Sequence, residues 1–561
     1  MFRVSPRAFF IGGSCLISSI CSCVTMAFTN FDEARDKVET GFMIFSFVLQ
    51  YILVWSVSEI PLKFILSCFV KPALLSRSNI QELPAHVLNY NIKASSYEEI
   101  TECYKNATVS MSNNNEANTY VVVISATTQE HLKNYESSMQ CNMNNSYPGK
   151  VFLLRRTCNV LKKCGQYQDL IMLCAGHDYG YTYCNDMYGS AKRPPGTSMF
   201  EVSDQTAIIK ELNIKYTMVL DIDTIVPSGA LRNMILLAEN HPEYGIVQPA
   251  IRLIGDQTVF QIYYKTVHAF NKNLTASCST FCDHSSFFGK GLLNHDVYTS
   301  SCLGDPSHAI DGVPIGALSH DTFESLLSKT LYDHETTIEE PAPCTYLSWH
   351  SREERWNTGD LIVLYHLLPG FHKQRLTDFR LDFERLYIAL APVRVLFMRP
   401  VLFLYIIVSS FHNGTNMSYV VTLSVFLMVF FLQLFAGIQN TDIHKLKTVL
   451  SAICSVFFII PEPITGTFRF LRSVLKSLQS SPKWIPSALV DNWNATAGII
   501  KIVSNELWMS TLTSLALLAY GPSAALMTLQ CVVCLLLPFV CVMSSMKYNS
   551  FLVRDDIVFS C

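Results

Sequence analysis

Asp221-Ile-Asp223 ends a short apolar run, Thr217-Met-Val-Leu220, with two carboxylates one residue apart. At the carboxyl end of a buried parallel strand, such side chains reach one cleft, where open α/β sheets bind ligands. Two hard oxygen ligands there suit Mg²⁺ or Mn²⁺ bridging a diphosphate. A bare D-x-D is weak by itself, since one arises by chance about once in a chain of this length. A second acidic position, in Leu318-Ser-His-Asp321, opens the helical pattern Thr322-Phe-Glu-Ser-Leu-Leu. Read alone, Asp321 is a helix N-cap. Read for chemistry, it is a general base, a role that needs a carboxylate apart from any metal-binding pair. The third group is Arg352-Glu-Glu-Arg355-Trp356-Asn-Thr-Gly-Asp360, with two arginines on one helix face and a flat ring beside them. Guanidinium groups grip phosphate oxygens, and aromatic rings stack on sugar faces. A solvated charged helix with one buried tryptophan is the plainer alternative.

These groups need a scaffold. Tyr120-Val-Val-Val-Ile-Ser125 reads as the first buried strand, with Val151–Leu154 and Leu170–Cys174 as further strands and helical stretches such as 203–213 between them. That alternation predicts an open α/β sheet within 72–395.

The rest of the composition points to a bilayer. Half of the 561 residues are hydrophobic and 16% are charged, against roughly a quarter charged in ordinary soluble proteins. A membrane protein with a large water-soluble part is expected. The net charge of −3 leaves no overall field for nucleic acid. The 19 cysteines are scattered and read as buried or reduced thiols rather than a disulfide framework. Residues 9–29 carry no charge and are long enough to span, which takes about 20 residues. Arg3 and Arg7 before them, and Asp32, Glu33, Asp36 and Glu39 after, set the N-terminus in the cytosol. A cleaved signal peptide is the alternative, opposed by the second apolar run at 42–57. Further spans are expected at 396–412, 418–438, 505–520 and 522–545, with 446–478 lying along the cytosolic interface. The domains then run 1–71, 72–395, 396–445, 446–500 and 501–561. Sequons at Asn106, Asn144 and Asn273 are chance matches if the sheet domain is cytosolic. No motif bears on oligomeric state.

Taken in order, D-x-D, an isolated Asp and R-x-x-R-W before a membrane return resemble the processive inverting glycosyltransferases, such as cellulose, chitin and hyaluronan synthases. The likeness sharpens at Phe287-Phe-Gly-Lys-Gly291 with Asp296-Val297, Leu318–Asp321, Glu339-Glu-Pro341 and Arg352-x-x-Arg-Trp-x-x-Gly-Asp360. That set resembles the transferase part of bacterial cyclic β-1,2-glucan synthases and, more distantly, the periplasmic-glucan glucosyltransferases. The resemblance implies an α/β GT-A (nucleotide-diphospho-sugar transferase) domain on the cytosolic side of an α-helical multi-span membrane protein. It implies Asp221 and Asp223 as holders of the donor diphosphate and its Mg²⁺ or Mn²⁺, and Asp321 as the base. Arg352, Arg355 and Trp356 would line the donor and acceptor cleft. Lys290, Gly291 and His320 would lie beside the acceptor, with His284 near.

Where the family carries an acidic residue for uridine, this chain reads Cys174-Ala-Gly-His-Asp178, so Asp178 would take that role from a displaced position. Arg352 stands where the family usually has glutamine, and the long carbohydrate-processing region of the cyclic synthases has no counterpart. The implied partners are a UDP-sugar, UDP-glucose above others, a growing polysaccharide and the lipid bilayer. The implied place is the plasma membrane, with a Golgi-type membrane left open. Rival readings are a transferase acting on a lipid carrier, a transporter with a soluble domain, and an inactive scaffold.

Overall fold

The computed structural model describes residues 5–27, 37–158, 162–177, 198–255, 258–303, 319–367, 383–410 and 462–478, with isolated residues between 424 and 435. The chain enters through three helices, α1 (Gly13–Ala27), α2 (Lys37–Val57) and α3 (Glu59–Phe69). Two stretches, Ala8–Ala27 and Thr40–Phe69, are long and apolar enough to cross a membrane. Two polar contacts join them: Gln50 Nε2 donates to Thr25 Oγ1 at 2.7 Å, and Ser58 Oγ to Ser14 Oγ at 2.8 Å. The second stretch runs for 30 residues and so passes the expected end at 57. Lys63 lies inside it, paired with Glu59 at 2.5 Å.

Strands and helices then alternate: β1 (His86–Ile92), α4 (Tyr97–Asn113), β2 (Thr119–Ser125), α5 (Glu130–Ser146), β3 (Val151–Arg155), α6 (Lys162–Cys174), α7 (Asp204–Glu211), β4 (Tyr216–Leu220), α8 (Ala230–Asn240), β5 (Ile246–Ile254), α9 (Val259–Cys282), β6 (Gly291–Asn294), α10 (His295–Tyr298), α11 (His320–Leu327) and β7 (Thr330–Pro341). The sheet order is β3-β2-β1-β4-β6-β5-β7. Every neighbouring pair is parallel except β6, which runs antiparallel between β4 and β5. The period-two alternation of β2 sends Val121 and Val123 into one core and Val122 and Ile124 into the other. Both sheet faces are therefore covered, as a buried parallel strand requires.

Two expected strands are corrected. The first strand is β1, not 120–125. Its alternation is broken by His86, Asn89 and Asn91, all buried. Their donors and rings are met inside the fold: Asn89 Nδ2 donates to Val122 O at 3.2 Å, Asn91 Nδ2 to Asn89 Oδ1 at 2.9 Å, and His86 Nε2 pairs with Thr119 Oγ1 at 2.8 Å. Leu170–Cys174 belongs to α6, whose Cys164, Tyr167, Leu170 and Ile171 recur at helical spacing in the core. Five apolar residues in a row fit a buried strand or a buried helix equally well.

Beyond the sheet come α12 (Tyr346–Leu367), α13 (Phe383–Ala389), α14 (Ala391–Leu396), α15 (Met398–Ser410) and α16 (Glu462–Ser477). Tyr405 and Val408 of α15 pack on Leu49 and Leu53 of α2. Phe10, Leu62 and Leu66 meet Cys278, Cys282 and Ile388, joining the entry helices to α9 and α13. Among the described residues no disulfide joins the cysteines. Asn106 is buried in α4 and donates to Ile222 O at 2.9 Å, so its sequon carries no sugar in this fold. The expected spans at 505–520 and 522–545, the stretch 446–460, and Asp178 lie outside the described residues. So does 418–438, apart from isolated positions.

Candidate active site

Asp221 follows the last residue of β4, and the turn that carries it is closed from both sides. Thr224 N donates to Asp221 O at 3.1 Å, while Asp221 N donates to Thr224 Oγ1 at 3.3 Å. Tyr90 of β1 donates its hydroxyl to Thr224 O at 3.1 Å, and Ile225 bridges Glu339 through two backbone bonds of 2.9 Å. The D-x-D turn is thus tied to β1 and to the end of β7, which brings Glu340 beside it.

Two lysines meet Asp221. Lys163 Nζ lies 2.6 Å from Oδ1 and Lys290 Nζ 3.2 Å from Oδ2. Lys163 also donates to Gly289 O at 2.7 Å, and Lys290 pairs with Glu340. Desolvation in the cleft raises the Asp221 carboxyl, but the charges of Lys163 and Lys290 outweigh it and hold the group below the usual range. Asp223 goes the other way. Desolvation and then the Asp221 charge push it up to about 6, against the pull of Lys290. For Lys290, the carboxylates of Glu340, Asp221 and Asp223 outweigh desolvation and raise its pKa.

Gly289 carries the geometry across to Asp321. Its φ of +73° is left-handed, and a Cβ there would stand 3.7 Å from Asp321 Oδ2 and 3.8 Å from His320 Cε1. Asp321 sits in the first turn of α11, where Ser319, not Asp321, is the N-cap. Its Oδ1 accepts from Thr322 N at 3.1 Å. Desolvation raises its pKa, opposed by the nearby His320. The start of α11 rests against α12 at Gly359, where a Cβ would lie 2.4 Å from Ser319 N. Only glycine permits that approach. Asp360 beside it is pushed up to about 7 by desolvation, with a Ser319 hydrogen bond opposing.

Arg352 and Arg355 reach the same cleft from α12. Arg352 Cζ stands 5.6 Å from the centre of the Trp356 ring, which is 36% exposed. Arg355 is lowered to about 10 by desolvation and then by Arg352, while Asp221 and Asp321 act on it in the opposite sense. One cleft therefore gathers Asp221, Asp223, Lys290, Asp321, Arg352, Arg355 and Trp356.

Three sequence candidates have structural partners of their own. His320 Nδ1 lies 2.9 Å from Glu324 Oε2, and Tyr167 donates to the same carboxylate at 2.7 Å. Gly291 opens β6 and permits close pairing, since a Cβ would meet Val247 O at 2.7 Å. His284 is buried and accepts from Thr330 N at 3.3 Å. Cys164, His320 and Glu324 form a set of ligand-type atoms within 4.8 Å, but Tyr167 and Tyr298 already occupy Glu324.

Residue reasoning passed over Lys163, Glu340 and Asp360. The last two stand inside quoted motifs. Lys163 opens a helix that was read in part as a strand, so nothing aimed it at the cleft.

The carboxylate pair suits a divalent cation. Asp223 is destabilised as an anion by Asp221, and a cation relieves that repulsion.

No family model matches the chain. Curated relatives carry the name glucans biosynthesis glucosyltransferase H. That of Caulobacter vibrioides is 26% identical over 200 residues, covering 34% of this chain and 30% of the relative. That of Ralstonia nicotianae is 25% identical over 170 residues, 28% of this chain and 20% of the relative. The chain thus spans less than a third of the length of these relatives. Among solved structures, a mannosyltransferase, PcManGT of Pyrobaculum calidifontis in complex with GDP-Man and Mn²⁺, aligns with a TM-score of 0.41 and 11% identity, over 77% of this chain and 99% of that one.

Proposed function

We propose that this chain is an inverting hexosyltransferase of GT-A type that builds a β-linked glucan from UDP-glucose at a membrane. One observation carries the reading: two carboxylates with lysines at the end of β4, a separate carboxylate at the start of α11, and an Arg-Arg-Trp face converge on one cleft.

The division of labour follows from charge. Asp223, with Asp221, would hold Mg²⁺ or Mn²⁺, which when bound would offset the charge of the donor diphosphate. Lys163 and Lys290, preorganised by their contacts with Asp221 and, for Lys163, with Gly289, supply fixed positive charge beside it, and Arg355 adds to that field. Asp321 stands apart from the metal-binding pair and takes the proton of the acceptor hydroxyl. That hydroxyl attacks the anomeric carbon on the face opposite the leaving diphosphate, so an α-linked donor gives a β-linkage. Trp356, with Arg352 over its ring, offers the apolar plate on which a terminal sugar stacks.

The two span-length helices and the packing of α15 on α2 support a multi-pass protein, and the lysine and arginine bias around 9–29 favours a cytosolic catalytic domain. A polar polymer cannot cross lipid unaided, so synthesis beneath a helix bundle fits coupled export, with the plasma membrane as the site.

The test is transfer by purified, detergent-solubilised protein against a panel of nucleotide sugars with Mg²⁺ or Mn²⁺, beside Asp321→Asn. Long products from UDP-glucose, absent in the variant, are expected. Single transfers to a lipid acceptor would replace the polymer reading, and folded protein inert with every donor would end the transferase reading.

A further inference from the structure

The helix that bears Arg352, Arg355 and Trp356 turns two glutamates away from the cleft. Glu353 lies 2.7 Å from Arg399 of α15 and 2.7 Å from Arg469 of α16. Glu354 lies 3.1 Å from Arg472 and also pairs with Lys476, both of α16. Arg472 and Lys476 hold Glu354 below the ordinary carboxylate range although desolvation raises it. Backbone groups join in, for Ser473 Oγ donates to Glu354 O at 3.1 Å. Arg469 is fully buried, with its guanidinium 5.0 Å from the ring centre of Trp349. Gly466 makes room for the crossing, since a Cβ there would stand 2.1 Å from Arg399 Cδ.

The orientation of α16 is the reverse of a soluble helix. Its polar residues Arg469, Ser473 and Ser477 are buried, while Leu471, Leu475 and Leu478 are 48%, 65% and 64% exposed. Four cations from two membrane-side helices thus converge on two adjacent carboxylates of the cleft helix. Buried charges are held only when paired, so this contact fixes the register and depth of α12.

We propose that Glu353 and Glu354 are positioning residues, an ionic latch through which α15 and α16 set where α12 presents Arg352, Arg355 and Trp356. The catalytic consequence rests on the transferase reading above; the geometry does not. Misplacement of a clamp by about an ångström costs on the order of a hundredfold in rate.

The experiment uses the full chain in lipid nanodiscs with Glu354→Gln, Arg472→Gln, their combination, and the reversed set Glu354→Arg with Arg472→Glu and Lys476→Glu. The latch predicts a kcat loss of roughly ten- to hundredfold in each single variant, with donor KM changed far less. The combined variant is expected to be no worse than either single one, and the reversed set to recover activity. Amide exchange across 348–360 is expected to quicken in Glu354→Gln. Additive losses, or a kcat loss that only follows melting temperature, would overturn the latch, as would unchanged exchange. If the wild type transfers no sugar, the transferase reading fails, while the exchange measurement still decides the latch.

Discussion

In the proposed metal site, Asp223 makes cation binding depend on pH. With its pKa pushed up to about 6 by desolvation and by Asp221, it must lose a proton before it can bind a cation. Mn²⁺ affinity measured by calorimetry is therefore expected to be level above that pH and to fall about tenfold per unit below it. Affinity that stays flat from pH 5 to 8 would remove Asp223 from the metal site. Asp321 has the same sign for a different reason. As the proposed base it works deprotonated, so its raised pKa moves the acid limb of kcat/KM above the usual aspartate range of about 4. Asp321→Asn is expected to lose roughly 10²–10⁴-fold in rate and keep donor affinity. At this scale no single motif was decisive, since a D-x-D arises by chance and a charged helix with one tryptophan is ordinary; the order of D-x-D, isolated Asp and R-x-x-R-W made the residues legible together. Lys163 could not be read, since a lysine announces no partner until the chain around it is folded.

Among the elements, the seam between α11 and α12 bears most directly on the chemistry. Gly359→Ala would drive a methyl group to 2.4 Å from Ser319 N, a backbone atom with nowhere to retreat. The expected cost is about 1–3 kcal/mol, seen as a lower midpoint in denaturant, with a loss of turnover because Asp321 moves with Ser319. Equal stability and turnover would show that the helices do not meet so closely. Short apolar runs bounded by polar residues located β2, β3 and β4, and a polar helical stretch located α7. The same reading misjudged β1 and α6, where tertiary contacts override local pattern. Asn89 and Asn91 are polar yet central to the sheet, and Leu170–Cys174 is apolar yet helical. The antiparallel β6 was not foreseen either, because its four residues carry no periodicity long enough to read.

At the scale of the molecule, the catalytic sheet and the helices beyond it are bound by charge rather than by apolar contact alone. Composition led to the expectation of a membrane protein, and the two helices long and apolar enough to span fall where the apolar runs 9–29 and 42–57 stand in the sequence. The inward turn of the polar side of α16 was not plain, since amphipathic spacing says that a helix has two faces and not which one meets protein. A fragment of residues 72–395 would lack Arg399, Arg469, Arg472 and Lys476. It is expected to aggregate, or to lose protection of α12 against proteolysis; a soluble, protease-resistant fragment would show that the glutamates need no partners. Glu354 and its guanidinium partner are 118 positions apart in sequence. The sheet is consequently not a portable part. A chimera joined to another protein's membrane helices, or a recombination breakpoint between α12 and α16, would separate residues that must be inherited together.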